Sequence, residues 1–157
     1  PTGYKACVRV YPHGDGNARN THMSVFFVLM RGLYDSLLDF PFKFKVIFCL
    51  YDQSGAGKHL IDSFRPDTRS SSFQQPRSDM NIASGIPRFI PLSTIQHPNS
   101  PYLKNDTMFL KVMIDFEDLP KAVLPFVMGL NPGIPVGVRQ SLIQAKLQQQ
   151  LYHKDIR

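Results

Sequence analysis

The sequence of 157 residues has little of several features that mark particular classes of protein. It has no tryptophan and only two cysteines, Cys7 and Cys49, too few for the disulfide framework of a small secreted domain. No apolar run is long enough to span a bilayer, and the opening segment "PTGYKACVRV" lacks the basic-then-apolar layout of a signal peptide. These absences argue against a membrane-inserted protein or a secreted disulfide scaffold, and they favour a reducing, cytoplasmic location.

Both cysteines lie in apolar, strand-like runs, "KACVRV" and "VIFCLY". This placement favours buried free thiols that pack as small hydrophobic side chains. One disulfide between the two cysteines stays possible from the sequence alone.

The motifs of catalysis and metal binding are also missing. The five histidines have no paired spacing with cysteines or carboxylates, so we predict no metal site. The segment "DQSGAGKH" matches only the end of a phosphate-binding loop, because Asp52 stands where the first glycine is required and His59 where a hydroxyl would hold magnesium. No G-x-S-x-G motif is present. We therefore predict that this chain is not an enzyme and has no cofactor.

The charge balance permits several partners without choosing among them. The chain has 18 basic and 12 acidic residues, a net charge of +6, which suits acidic peptides, nucleic acids or anionic membranes. No Lys/Arg run of the kind found in nucleic-acid-binding arms is present, so we predict no nucleic-acid role. A charge-driven binder stays open as a rival, and it would show a steep salt dependence.

What the sequence does contain is a succession of strand patterns. Residues 4–11 alternate between two faces, with Arg9 and Tyr11 on the same one, and residues 22–30 are apolar on both faces. Residues 44–51 and 106–116 have the same β character, and "LIDSF" is a candidate short strand. Turn clusters separate these runs, which favours an all-β antiparallel sandwich whose core draws on the 12 phenylalanines.

The character changes after Asp118. We assign residues 1–120 to the sandwich, residues 121–137 to a Pro/Gly-rich linker and residues 138–154 to an amphipathic helix. Ile143, Leu147 and Leu151 form its apolar stripe at i, i+4 and i+8. The helix either docks on the sandwich or mediates self-association, and the sequence leaves both open.

Five blocks of sequence, in order, resemble one known family. They are "GYKACVRVYPHGDG", "RGLYDSLLDFPF", "DSFRPDTRSSSFQQP", "DMNIASGIP" and "KNDTMFLKVMIDFEDLP", and they are similar to the C-terminal domain of TNF-receptor-associated factors, called TRAF-C or MATH. The resemblance implies an eight-stranded antiparallel sandwich in a cytoplasmic signalling adaptor that is a homotrimer at full length. A RING ubiquitin-ligase module can lie upstream in such proteins. The family's opening strands have no counterpart here, so the chain looks like the larger C-terminal part of the domain.

In that family, a short receptor-tail or adaptor peptide lies as an added strand along a sheet edge. The resemblance implies that a serine clamp, Ser70, Ser71 and Ser72, binds a Gln or Glu of the peptide, because a hydroxyl can both donate and accept. Two residues, Arg9 and Tyr11, would read an acidic residue, and Asp15 would meet the peptide near the same end. The remaining implied contacts are an apolar pocket and the sheet edge: Phe26, Phe48, Phe64, Phe73 and Ile86 for the pocket, and Ala83, Ser84 and Gly85 for the edge.

Taken singly, these residues have ordinary explanations. The phenylalanines would be core, the serines a solvated loop, and Arg9 an exposed strand residue; only the ordered set indicates a site. Phe48 and Ile86 are larger than the Leu and Cys that are usual in the family, so we expect a smaller peptide residue in the pocket. The alternative within the same fold is a substrate-recruiting MATH module of a ubiquitin ligase, which would prefer Ser/Thr-rich segments and would not need Arg9. A fragment that is not competent to bind alone also stays open.

Overall fold

A computed structural model describes residues 3–131 and 133–154 of the chain. Six strands form in the described residues, where the resemblance implies eight, and all their pairings are antiparallel. They are β1 (Lys5–Tyr11), β2 (His22–Met30), β3 (Lys45–Leu50), β4 (Leu60–Phe64), β5 (Ser84–Pro91) and β6 (Leu110–Asp115). The prediction of an all-β antiparallel fold is confirmed, with a few helices added to it.

The strands form two three-stranded sheets, in the orders β1-β2-β5 and β4-β3-β6. The central strands are the most apolar ones: every residue of β3 is buried, as expected for a continuous apolar run. In β2, the side chains of Met23, Val25, Phe27 and Leu29 point into the core. Ser24, Phe26 and Val28 therefore occupy the opposite, outer face of the first sheet.

The pairing of β2 with β5 is interrupted at Ser24. The register shifts between Met23 and Val25, which is the signature of a β-bulge. Ser24 has no exposed surface; its hydroxyl donates to the carbonyl of Pro87 and accepts from the backbone N–H of Asp15. The serine thus replaces the lost ladder bonds, and Pro87 lies in β5, at the edge of the sheet, where proline is tolerated.

The second compact unit of the chain begins at Glu117. It contains α2 (Leu124–Gly129) and α3 (Val136–Lys154); the four-residue α1 (Leu92–Ile95) lies in the first unit. The predicted linker is therefore helical in part, because Pro125 stands in the first turn of α2, where proline costs no hydrogen bond. The domain boundaries themselves stay a prediction.

The long helix α3 extends two residues further toward the N-terminus than the predicted range. Along its apolar stripe, Ile143 is buried and Leu147 is half-buried, whereas the side chain of Leu151 lies outside the described residues. Within this unit, the Gln150 amide donates to the carbonyl of Ala122 at 3.2 Å, and the Lys146 ammonium lies 5.7 Å from the centroid of the Phe126 ring. These contacts hold α3 against α2 and the turn before it.

Both cysteines are free thiols, as the sequence favoured; Cys49 is buried and Cys7 is half-buried. Burial raises the pKa of the Cys49 thiol, which keeps it protonated and unreactive. In the described part of the chain, no helix combines the length and apolarity needed to cross a membrane.

The loop after β3, where a phosphate-binding motif was excluded, is organised by the buried carboxylate of Asp52. This carboxylate accepts hydrogen bonds from the backbone N–H groups of Ser54 at 2.7 Å and Lys58 at 2.8 Å. The side chain and backbone of Ser54 are the main reason that the pKa of Asp52 lies below its ordinary value. The carboxylate therefore holds the loop closed in its ionised form.

We expect Asp52→Asn to destabilise the protein at neutral pH, because an amide cannot accept hydrogen bonds as well as a carboxylate at both positions. A carboxyl whose pKa is lowered by folding stabilises the fold above its unfolded pKa of about 3.9. That stabilisation is lost as the pH falls through the lower, folded pKa. Urea unfolding of both proteins at a series of pH values should show a difference at neutral pH that shrinks below about pH 4.

The matched control for this experiment is Asp106→Asn. Asp106 lies in an exposed turn with φ of 55°, a conformation that asparagine also tolerates. A pH-independent difference between Asp52→Asn and the wild type would contradict the role of the ionised carboxylate.

Candidate functional site

Three predicted site residues form one row across the first sheet. In the strand register, Arg9 of β1 lies opposite Phe26 of β2, and Phe26 lies opposite Gly85 of β5. Phe26 belongs to the outer face, and residues directly opposite one another point to the same face. Arg9 is exposed and Phe26 is half-buried, so this outer row is open to a ligand.

The guanidinium of Arg9 has an unusual partner. Its Nη2 lies 2.9 Å from the Sδ of Met80, a weak acceptor; among the described residues, no carboxylate pairs with it. Beside it, the ring of Tyr11 packs edge-on against Phe26 with 5.7 Å between centroids. A cation without a strong acceptor, next to a phenol, is suited to binding a carboxylate.

At the other end of the row, Gly85 permits very close packing of β5 on β2. A Cβ at this position would lie 2.2 Å from the carbonyl oxygen of Val25 and 2.6 Å from the Cα of Phe26, so no larger residue fits. In the described part of the chain, β5 pairs with β2 alone. Its outer edge therefore leaves backbone groups beside Ser84 and Gly85 available for hydrogen bonding.

The serine loop is ordered as a 3₁₀ turn, Ser71–Phe73, and the three serines differ in their environment. The Ser70 hydroxyl oxygen accepts from the backbone N–H of Ser72 and caps the turn, and its O–H can still donate. Ser71 is exposed, and Ser72 is 8% exposed. Within residues 3–131 and 133–154, the side-chain hydroxyls of Ser71 and Ser72 make no hydrogen bond, so they remain available to a ligand.

Asn81, which the sequence analysis did not single out, fixes this loop to the sheet. Its amide donates to the carbonyls of Ser72 at 3.1 Å and Gln74 at 2.8 Å. Its backbone N–H donates to the carbonyl of Leu29 in β2 at 2.9 Å. One side chain thus brings the serine loop to the start of β5. No local pattern distinguishes this asparagine from an ordinary loop residue, so the sequence held no signal for it.

The apolar residues predicted for a pocket fall into two groups. Phe48, Phe64 and Phe73 pack in series, with ring centroids 6.4 Å and 6.1 Å apart, under the serine loop. Phe48 has no exposed surface and Phe73 only 3%, while Phe64 and Ile86 are half-buried. Phe26 is separate from this group and packs with Tyr11 on the outer face.

The two remaining predicted residues, Asp15 and Ala83, lie in segments that flank strands of the site. Asp15 is half-buried in the turn after β1, between two glycines with φ of 78° and 52°. In the described structure its carboxylate makes no hydrogen bond. Gly14 is required in that turn, because a Cβ there would also lie 2.4 Å from the carbonyl oxygen of Ala18. Ala83 is half-buried directly before β5.

The described residues bring no three His, Cys, Asp or Glu side chains close enough to hold a metal ion. The site instead combines the row of Arg9, Phe26 and Gly85 with the hydroxyl groups of the serine loop, beside an open strand edge. This arrangement suits recognition of an extended, polar chain rather than chemical conversion of it.

Comparison with known proteins gives the class to which this arrangement belongs. The family model "TRAF/meprin, MATH domain" matches residues 1–111, so the chain belongs to the MATH-domain family and the resemblance is confirmed. As a domain of this class it is an adaptor module and not an enzyme, as predicted.

Several relatives are similar over the same region. TNF receptor-associated factor 1 of Mus musculus is 55% identical over 113 residues, which is 72% of this chain and 27% of that protein. TNF receptor-associated factor 5 of Mus musculus is 50% identical over 117 residues, 74% of this chain and 21% of that protein. A solved structure of Notothenia coriiceps TRAF5 superposes with a TM-score of 0.71 at 47% identity, covering 77% of this chain and 60% of that one. The chain thus spans about a quarter of the length of the curated relatives.

We expect Asn81→Ala to destabilise the serine loop and, to a smaller degree, the whole domain. Its side-chain hydrogen bond to Ser72 is part-buried and the one to Gln74 is exposed, and their loss should lower the free energy of unfolding by about 1–3 kcal/mol. Urea denaturation measures the global effect, and faster amide exchange at Ser72 and Phe73 measures the local one. Asn99→Ala, at an exposed loop residue, is the control and should change the stability by less than about 0.5 kcal/mol.

Proposed function

We propose that this domain is a cytoplasmic adaptor module that binds short acidic P-x-Q-E-like peptides by strand addition to β5. The observation that carries the proposal is the row Gly85–Phe26–Arg9, which begins at an open strand edge and ends at a guanidinium without a carboxylate partner. Main-chain pairing at such an edge supplies affinity, and the side chains along the row supply specificity.

The row also sets a spacing for the ligand. Neighbouring strands lie ~4.8 Å apart, so Gly85 and Arg9 are separated by two strand spacings, or roughly 10 Å. An extended chain advances ~3.3 Å per residue, so this distance corresponds to about three residues. A strand added to β5 runs alongside β5, at right angles to this row, so we propose that the peptide pairs with β5 at Gly85 and then crosses the outer face over Phe26. On that path, the residue at Gly85 is followed by an acidic residue at Arg9 about three positions further on, as in P-x-Q-E.

In the serine loop, which Asn81 joins to the start of β5, the hydroxyls of Ser71 and Ser72 are suited to the glutamine or glutamate side chain. A hydroxyl donates to a carbonyl or carboxylate oxygen and accepts from an amide N–H. Ser70 has two roles: its hydroxyl oxygen caps the turn, and its O–H can still donate to the same ligand side chain. Replacing Ser70 would therefore disturb the turn as well as the clamp, whereas Ser71 and Ser72 act on the ligand alone.

The apolar part of the site is shallow in this proposal. Phe64 and Ile86 keep accessible surface, whereas Phe48 and Phe73 support them from the core. Since large side chains already fill this region, it accepts a small apolar residue of the peptide.

The names of the relatives suggest which ligands this domain binds. Their name, TNF receptor-associated factor, supports the cytoplasmic tails of TNF-receptor-type receptors, or adaptor peptides, as ligands. We also propose that the full-length protein is a homotrimer. Single sites of this kind bind weakly, and linkage of several sites raises the overall avidity by about 10²–10⁴.

The test is a fluorescence-anisotropy titration with two labelled peptides, P-x-Q-E and P-x-Q-Q. We expect Ser71→Ala/Ser72→Ala, with Ser70 retained, to weaken binding of both peptides. Arg9→Gln should weaken only the acidic peptide, by about tenfold, the size of one hydrogen bond to a charged group. This selective loss should diminish at high salt, because an exposed charge contact is screened.

Two variants serve as controls. Lys5→Gln removes the same charge from the same strand and separates a direct contact from general electrostatic attraction. Ser93→Ala removes an exposed hydroxyl from α1. Equal losses for Arg9→Gln and Lys5→Gln would contradict the acidic subsite and favour a charge-driven binder. Tighter binding of a serine-rich peptide that is indifferent to Arg9→Gln would favour the ubiquitin-ligase module.

A further inference from the structure

The six methionines differ in their access to solvent. Met80 is exposed, with 37% of its surface accessible. The other five are buried or half-buried: Met23, Met30, Met108, Met113 and Met128. Met80 is thus the most exposed of the six, and we expect a peroxide to oxidise it first.

The backbone around Met80 is held in place although its side chain is exposed. Met80 forms an isolated bridge with Met30 at the end of β2. On either side of it, the carbonyl of Asp79 accepts from the backbone N–H of Arg31, and the N–H of Asn81 donates to Leu29. The sulfur is therefore presented at a fixed place on the outer face, beside the Arg9 guanidinium.

The contact between the two side chains is short and weak. Arg9 Nη2 and Met80 Sδ are 2.9 Å apart, and a thioether sulfur is a poor acceptor even for a charged donor. A ligand carboxylate, which forms a charge-assisted hydrogen bond, would displace the sulfur readily. If a chemical change made the Met80 side chain a better acceptor, that side chain would instead compete with the ligand for the Arg9 guanidinium.

We propose that Met80 is an oxidation site that switches off the acidic subsite at Arg9; the consequence for binding rests on the proposed function. Hydrogen peroxide is the oxidant. The thioether sulfur attacks one peroxide oxygen, the S–O bond forms as the O–O bond breaks, and the second oxygen leaves as water. The sulfur loses two electrons and becomes a sulfoxide. The sulfoxide oxygen is a strong acceptor that holds the Arg9 guanidinium.

The proposal makes a selective prediction. Oxidation of Met80 should weaken binding of a P-x-Q-E peptide by about tenfold and leave binding of P-x-Q-Q unchanged, because only the first uses Arg9. A sulfoxide reductase should restore the affinity. A purely structural role for Met80 would instead change both affinities together.

The experiment treats the folded chain with limited hydrogen peroxide and maps oxidation at each methionine by mass spectrometry. The two peptides are then titrated into the reduced and oxidised wild type. Met80→Leu keeps the volume of the side chain and cannot be oxidised there, so its affinities should not respond to peroxide. Met108→Leu, at a half-buried methionine, is the matched control and should respond like the wild type.

A second readout does not depend on a ligand. In ¹⁵N–¹H spectra, the Arg9 guanidinium should rotate more slowly after oxidation, because it is held by the sulfoxide oxygen, and Met80→Leu should abolish this change. Oxidation of another methionine before Met80, or a fully oxidised Met80 with no change at Arg9, would overturn the proposal. If the reduced protein binds neither peptide, the proposed function fails, and the Arg9 spectrum alone then decides this inference.

Discussion

The site depends on the register of one three-stranded sheet. Arg9, Phe26 and Gly85 come from three strands, and they form a row only because β2 pairs with both β1 and β5 in a fixed alignment. A slip by one residue would turn each side chain to the opposite face. The bulge at Ser24 and the close approach at Gly85 fix this register, so backbone packing determines which side chains can act together.

The conformation of the serine loop depends on a second constraint: its backbone N–H and C=O groups need hydrogen-bond partners. Three consecutive serines in water have no reason to adopt one conformation. Here, Ser70 caps the turn, and the Asn81 amide donates hydrogen bonds to two carbonyls of the loop. The turn is therefore ordered without using the hydroxyls of Ser71 and Ser72. The backbone of this loop can therefore be ordered while the hydroxyls of Ser71 and Ser72 stay available to a ligand.

The strands could be predicted well from the sequence because their patterns are local. Residues 22–30 are apolar on both faces, and β2 has the same bounds. The pairing of β2 with β5 could not be predicted from those patterns, since it joins segments about sixty residues apart. The contact between Arg9 and Met80 also joins distant segments, so it could not be predicted either. Val8 and Val10 show the same limit: their alternation marks a buried face, yet they are 37% and 43% exposed, because burial depends on what covers a strand.

In the proposed binding mode, the row from Gly85 to Arg9 fixes how many ligand residues separate the β5 edge from the acidic residue. The most direct test is a series of labelled peptides in which the number of residues between the proline and the acidic residue is varied, titrated against the wild type and Arg9→Gln. We expect the effect of Arg9→Gln to be largest when the acidic residue lies about three positions after the residue at Gly85, and to fall for shorter and longer spacings. An effect of Arg9→Gln that is equal at every spacing would show that the row does not fix the position of the acidic residue.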